Sequence, residues 1–298
     1  MAERELNGSV IVITGASSGF GKGAALGFAA KGAVVVLAAR RDQLLADIAR
    51  DCESAGGRAL AVPTDVSREE EVSHLAAQAV STFGRIDVWV NNAGAGAIGP
   101  FADIPLEDHV KVIQTDLLGT LYGSYFAMRQ FRTQSRGTLI NVASVIGKIP
   151  SPYFASYAAA KHGVVGLSTS LRQELQEEKT DAIHVCTVMP TSFDTPFFEH
   201  AAQYTGREAS PIPPTYDPKE VVDTIVGLAS EPKDEIIVGT AAKVFNVAHH
   251  LFPGVVEAIM ARKTRKSEFD DAQPGEVTSG SLHKPMAGGT GVTGGWKK

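Results

Sequence analysis

Val10-Ile11-Val12-Ile13-Thr14-Gly15-Ala16-Ser17-Ser18-Gly19-Phe20-Gly21 is the stretch on which the fold turns. The β-branched run from Val10 to Thr14 is short and does not alternate with polar residues, which predicts a strand buried on both faces. A turn rich in Gly and Ser follows, and then a longer helical pattern. Glycines in that turn let the backbone bend sharply and approach a ligand, and the N–H groups opening the helix would face a phosphate. The spacing departs from G-x-G-x-x-G, so taken alone the stretch fits an ordinary tight βα turn as well as a dinucleotide site.

Outward from this unit the same rhythm repeats. Gly32 closes the first helix, and Ala33 to Ala38 predicts a second buried strand. A charged helix from Asp42 to Ser54, a strand at Ala59 to Val62, a helix from Glu69 to Phe83 and a strand at Ile86 to Val90 continue it. Further strands are predicted at Gly137 to Val142, Ile183 to Val188 and Glu235 to Val238. Strands alternating with helices mean βαβ units, hence an α/β fold: a single doubly wound parallel sheet, Rossmann-like, with helices on both faces. No internal repeat is visible. One domain spanning 1–269, including a C-terminal helical extension, fits a chain of 298 residues. The segment 270–298 is polar and Gly-rich and reads as a disordered tail.

Composition narrows the function classes. A net charge of −5 argues against a general nucleic-acid binder, whose footprint would be basic. Two cysteines, Cys52 and Cys186, are too few for a disulfide framework and fit a reducing cytoplasm. The polar start, Met1 to Gly8, does not read as a signal peptide, and no apolar run reaches the ~18 residues of a membrane span. His109, His162, His249 and His250 form no metal-ligand pattern.

Later motifs add chemistry. Asn91-Asn92-Ala93-Gly94 follows the fourth predicted strand, and Ser144 precedes Tyr157-Ala158-Ala159-Ala160-Lys161. Together with the glycine turn, these motifs in this order resemble the short-chain dehydrogenase/reductase family over roughly residues 8 to 240. The resemblance implies hydride transfer between a nicotinamide and a carbonyl or alcohol, with a catalytic set of Ser144, Tyr157 and Lys161. Tyr157 and Lys161 lie one helical turn apart and so share a face. A nearby ammonium stabilises a phenolate, which predicts a lowered Tyr157 pKa and proton exchange near neutrality. Ser144, at a strand end, would hydrogen-bond the substrate oxygen.

For the cofactor, Gly15, Ser17, Ser18, Gly19, Phe20 and Gly21 form the phosphate turn. Arg40 comes about 20 positions beyond the glycines, with Arg41 beside it, where arginine suits a 2′-phosphate and an acid would suit a free hydroxyl. NADP(H) is therefore preferred and NAD(H) remains open. Asp42 reads as the cap of the next helix. The resemblance further implies that Asp65 and Val66 contact the adenine, that Asn91 lies beneath the adenosine ribose, and that Gly94, Pro190 and Thr195 border the cofactor. It also implies that Lys161 grips the nicotinamide ribose.

Two departures stand out. Asp116 occupies a position where the family usually has an Asn that holds the water of a proton relay, and Pro190-Thr191 replaces the usual Pro-Gly. The stretch Thr191 to Pro218 reads as a long loop or lid, in which Phe193, Phe197, Phe198 and Tyr204 line an apolar pocket or pack on the domain. Residues Ala242 to Lys266, apolar with a basic end and split by Pro253, read either as a membrane-surface helix or as packing against the domain or a partner subunit. A homodimer or homotetramer is expected by resemblance. The alternative to an oxidoreductase is a catalytically weak NADP-binding scaffold on the same fold.

Overall fold

The computed structural model describes residues 6–297; the first five residues of the polar stretch Met1 to Gly8, and Lys298, lie outside the described residues. The chain begins with β1 (Val10–Thr14), α1 (Gly19–Ala29), β2 (Val34–Ala39), α2 (Asp42–Ser54) and β3 (Arg58–Pro63). It continues through α3 (Glu69–Phe83), β4 (Val88–Asn91), the short β5 (Ala97–Ile98), α4 (Leu106–Ile113) and α5 (Gly119–Gln134). Then come β6 (Gly137–Val142), α6 (Ala155–Glu177), β7 (Ile183–Pro190), α7 (Phe197–His200) and β8 (Ala202–Gln203). The last elements are α8 (Lys219–Ser230), β9 (Glu235–Val238), α9 (Thr240–Leu251) and α10 (Pro253–Arg265).

Seven strands form one parallel sheet in the order β3-β2-β1-β4-β6-β7-β9. The chain winds outward from β1 in one direction and then reverses through β4, which leaves a crevice at the carboxyl ends of β1 and β4. Side chains alternate between the faces of the sheet, and both faces are covered. Ile11, Ile13, Val35 and Leu37 pack against Phe28, Leu45, Ile48 and Ile225 from α1, α2 and α8. Val10, Val12, Val34 and Val36 pack on the other face against Leu75, Ala127 and Phe131 from α3 and α5. This double burial is why the strands read as continuous apolar runs.

Three expectations need correction. Asp42 is the first helical residue of α2 and makes no capping bond; Arg41 precedes it at the cap position. The loop from Thr191 to Pro218 carries α7 and β8, and β8 pairs in parallel with β5. The tail is not loose: Thr278 bridges antiparallel to Gln203, Pro274 bridges to Arg207, and Leu282 is 1% exposed. Its glycines and small residues let the backbone run flush against the domain, a use of glycine that composition cannot distinguish from a flexible linker.

Candidate cofactor and active site

A cavity of about 320 Å³ opens at the carboxyl ends of the strands, the expected place for a ligand in a sheet of this topology. Its floor is the turn between β1 and α1, with Gly15, Ser17, Ser18, Gly19 and Phe20 facing it. Gly21 lies just behind: a Cβ there would sit 2.3 Å from the Gly15 carbonyl oxygen, so this glycine permits the turn rather than touching a ligand.

Arg40 and Arg41, at the end of β2, border the same cavity with Asp65 and Val66 after β3. The Arg41 guanidinium donates to the Ser17 hydroxyl at 3.0 Å and to the Ser18 hydroxyl at 3.0 Å. This joins a fixed cation and two hydroxyls into one anion-recognising cluster. Asp65 is held in place by Ser67 and Lys111. Its burial alone would raise its pKa, but the Ser67 bonds and the two nearby cations hold it below the usual carboxylate range.

Asn91 does not reach the cavity. The two hydrogens of its amide nitrogen are shared among Thr120 O, Ser124 Oγ and Asn141 Oδ1, and its oxygen accepts from the Trp89 indole. With both ends satisfied inside the protein, it braces β4 against α5 and β6; the expected ribose contact is corrected accordingly. Asn92, in the same motif, faces the cavity and donates to Thr14 O at 3.0 Å, tying β4 to the glycine turn. The motif was legible; which of its two asparagines faces out depended on the register of β4.

At the other end of the cavity, Ser144 follows β6, while Tyr157 and Lys161 project from α6. Ser144 accepts from Ile146 N at 3.2 Å and donates to Pro190 O at 3.4 Å, and it borders the cavity with Tyr157. The Lys161 ammonium lies 3.2 Å from Asp116 Oδ2 and donates to Val142 O at 3.2 Å. An ammonium has three donors, and the bond to Val142 O uses one of them; the contact with Asp116 Oδ2 is an ion pair without hydrogen-bond geometry. Pro190, Thr191 and Thr195 close this end, and Gly94 keeps the space beside Lys161 open: a Cβ there would come 3.5 Å from the Lys161 Nζ.

Asp116 sits in a π-helical turn, Gln114–Leu118, between α4 and α5. It is fully buried, accepts from Ala95 N at 2.7 Å, and stands behind Lys161 without bordering the cavity. Its contact in the site is therefore with the lysine and not with the cavity. Burial pushes its pKa up, opposed by Lys161 and the Ala95 N–H. For Lys161, burial would lower the pKa, but Asp116 and Tyr157 outweigh it and keep the ammonium charged.

The expected lowering of the Tyr157 pKa is not met in this state. Burial pushes the phenol up and Asp116 adds to that, while Lys161 and Ser144 pull it down without prevailing. The lysine acts in the predicted direction; the low-polarity surroundings, with Phe154 and Phe197 rings 6.5 Å and 5.4 Å away, dominate.

This end of the cavity is apolar. Phe193, Phe197 and Phe198 line it, whereas Tyr204 turns away and donates to Asp108. Phe245 of α9 and Met260 of α10 complete the wall, a role the sequence pattern of the extension did not disclose. Elsewhere α9 exposes Val244, Val247 and Leu251, and Phe252 is exposed between the two helices; no described helix is long and apolar enough to cross a membrane.

The comparisons agree with this geometry. Residues 9–205 match the family model described as short chain dehydrogenase, and the chain belongs to that family of oxidoreductases. It is similar to the uncharacterized oxidoreductase YxnA of Bacillus subtilis, at 33% identity over 99% of this chain and 84% of that one, an alignment that takes in the C-terminal segment. It is also similar to a 3-oxoacyl-[acyl-carrier-protein] reductase of Synechocystis, at 33% identity over 81% of this chain and 96% of the relative. Among solved structures, a short chain dehydrogenase/reductase of Burkholderia phymatum in complex with NAD superposes with a TM-score of 0.75, at 25% identity, covering 85% of this chain and 96% of that one.

Proposed function

We propose that the protein is an NADP(H)-dependent reductase or dehydrogenase of the carbonyl/alcohol pair, with Ser144, Tyr157 and Lys161 as its catalytic set. The observation that carries this reading is the meeting of those three side chains on one cavity whose opposite end presents Arg40 and Arg41. The donor set fits a 2′-phosphorylated dinucleotide: Ser17, Ser18, the amides opening α1, and Arg41 at the phosphate end, with Asp65 and Val66 toward the adenine and Lys161, Pro190 and Thr195 toward the nicotinamide. When bound, the cofactor supplies or accepts the hydride.

The chain's own groups handle the oxygen and its proton. Ser144 donates to the substrate oxygen and fixes it beside Tyr157. Tyr157, its pKa raised by burial, stays protonated near neutrality and so suits giving a proton to the oxygen formed in reduction. Lys161, kept charged by Asp116, stabilises the phenolate left behind. Phe193, Phe197, Phe198, Phe245 and Met260 favour a substrate with an apolar body.

Buried free thiols at Cys52 and Cys186 support a reducing, cytoplasmic setting. Exposed Leu106, Val110, Leu121 and Tyr125 on α4 and α5 support self-association. The test of function is NADPH oxidation with a panel of carbonyl compounds, comparing the protein with Tyr157→Phe. Loss of ~10²-fold or more in rate with cofactor affinity retained is expected. Near-normal turnover by the variant would remove Tyr157 from the chemistry, and dinucleotide binding without turnover on any carbonyl would favour the scaffold alternative.

A further inference from the structure

The chain after Thr278 lines the cavity with Ser281, Leu282, Pro285 and Met286 and then runs on past residues that border it. It starts at Arg40, whose guanidinium donates to Ser281 O at 2.6 Å and Leu282 O at 2.9 Å. It passes Arg41, which donates to Gly288 O at 3.0 Å. It then crosses the start of α1, where Gly19 N donates to Gly291 O at 2.9 Å and the Lys22 ammonium donates to Thr290 O at 3.2 Å. It ends beyond β7, where Asp194 Oδ1 accepts from Gly294 N at 3.0 Å and Trp296 N at 2.8 Å, and the Trp296 indole donates to Thr195 O at 3.1 Å.

Both ends of this path are latched. Leu282 is buried with Ala97, Ile104, Val112 and Ala202, and His283 Nε2 lies 2.6 Å from Asp108 Oδ1. The far end holds to Asp194 and packs the Trp296 ring against Phe198 at 6.4 Å. The middle is different in kind. There, neutral carbonyls of the tail occupy the cations and the helix-opening amide that would otherwise face a phosphate. A phosphate is the stronger acceptor for each of those donors, so the middle contacts are the exchangeable ones.

The segment walls the cavity and fills little of it: its Gly291 carbonyl covers the floor at Gly19 N. Ser281, Leu282, Pro285 and Met286 line the same space as Ser17, Phe20, Asp65, Val66, Tyr157 and Lys161, and that space remains open beneath them. A segment acting as a plug would instead lie among those residues.

We propose that residues 281–296 are a strap that encloses the dinucleotide site, holding Arg40 and Arg41 at its phosphate end, so that the dinucleotide enters and leaves only when the strap lifts. The inference rests on the reading of this cavity as a dinucleotide site. The strap sets the rate of cofactor exchange, and through it the residence time of the bound form.

The test is the rate at which bound NADPH is released, followed by loss of its fluorescence after mixing with excess NADP⁺. Three proteins are compared: the full chain, a chain ending at Thr278, and full-length Gly280→Val. Gly280 has φ +51° and a Cβ there would meet His200 O at 2.4 Å, so the substitution displaces the strap's entry without altering a cavity side chain. Release about tenfold faster or more is expected in both altered proteins, with faster uptake as well. If all three bind and release NADPH at the same rates, the strap inference fails and the reading of the site stands. If none of them binds NADPH or NADH, the reading of the site fails and the inference falls with it. Uptake by the truncated chain alone would show a plug and overturn the enclosing wall.

Discussion

The carboxylate of Asp116 stands 3.2 Å from the Lys161 ammonium, with both side chains buried and Asp116 fixed by Ala95 N. A neutral amide at this position would leave Lys161 to answer to Tyr157 and Val142 alone. The carboxylate strengthens the positive charge on the lysine but opposes the negative charge on the tyrosine, and Asp116 is among the causes that raise the Tyr157 pKa. Asp116→Asn should therefore keep activity and move the basic limb of the alcohol-oxidation pH profile downward. Measuring that profile for both proteins decides it. A profile that does not move would mean that Asp116 carries no charge felt at Tyr157.

Arg40 and Arg41 differ in what they hold. Arg41 gathers the Ser17 and Ser18 hydroxyls, while Arg40 is engaged by the Ser281 and Leu282 carbonyls. Charge-assisted bonds to a phosphate are worth ~1.5 to 3 kcal/mol each. Replacing both arginines by Ala should weaken NADPH roughly 10- to 100-fold while changing NADH little. Titrations of the two cofactors test this, and equal losses for both would show that the pair does not read the 2′-phosphate.

The Gly21 position faces backbone that cannot step aside. A methyl group there would lie 2.3 Å from Gly15 O and 2.6 Å from the Asn92 amide nitrogen. The Gly21→Ala protein should lose ~1 to 3 kcal/mol of stability through forced displacement of the turn, a fall of several degrees in Tm. Its cofactor affinity should fall as well, because the same turn carries Ser17 to Phe20. Thermal melts and cofactor titration would expose an error here if both stayed at their original values.

Glu268, in the π-helical turn Lys266–Asp270, is fully buried, and neither carboxylate oxygen has a hydrogen-bond partner among the described residues. Burial pushes its pKa up to about 8. A carboxyl with a raised folded-state pKa contributes stability that is fully present below its unfolded value and is lost as pH climbs through the folded one. The protein should thus become less stable between about pH 5 and pH 8, by on the order of a few kcal/mol. In Glu268→Gln this slope should flatten, since an amide resembles the protonated acid and cannot ionise. Denaturant melts across that range check it; parallel slopes for the two proteins would place the pH dependence elsewhere.

The sequence by itself determined the sheet and most of the site. Unbroken β-branched runs can be accommodated only where both faces of a strand are covered, so the seven strands of the sheet and their parallel direction were legible, down to the bounds of Gly137–Val142 and Glu235–Val238, while the order of the strands came from the structure. The glycine turn, Arg40 and Arg41, and the Tyr157/Lys161 pair could be placed because local spacing fixes which residues share a turn or a helix face, and Ser144 because the order of the motifs resembles the family's. What depended on the register of an element against its neighbours could not be read: that Asn91 points inward and Asn92 outward, that Asp116, expected near Lys161 by resemblance, does not border the cavity, and that Phe245 and Met260 reach its apolar end. The sign of the Tyr157 shift also belonged to the tertiary structure, because desolvation is a property of everything packed around a group and not of its sequence neighbours. The tail shows the difference most plainly. Glycine serves a flexible linker and a backbone held close to another surface equally well, and only the folded domain supplies Asp194, Arg40 and Arg41 as the surface to which residues 281–296 are held.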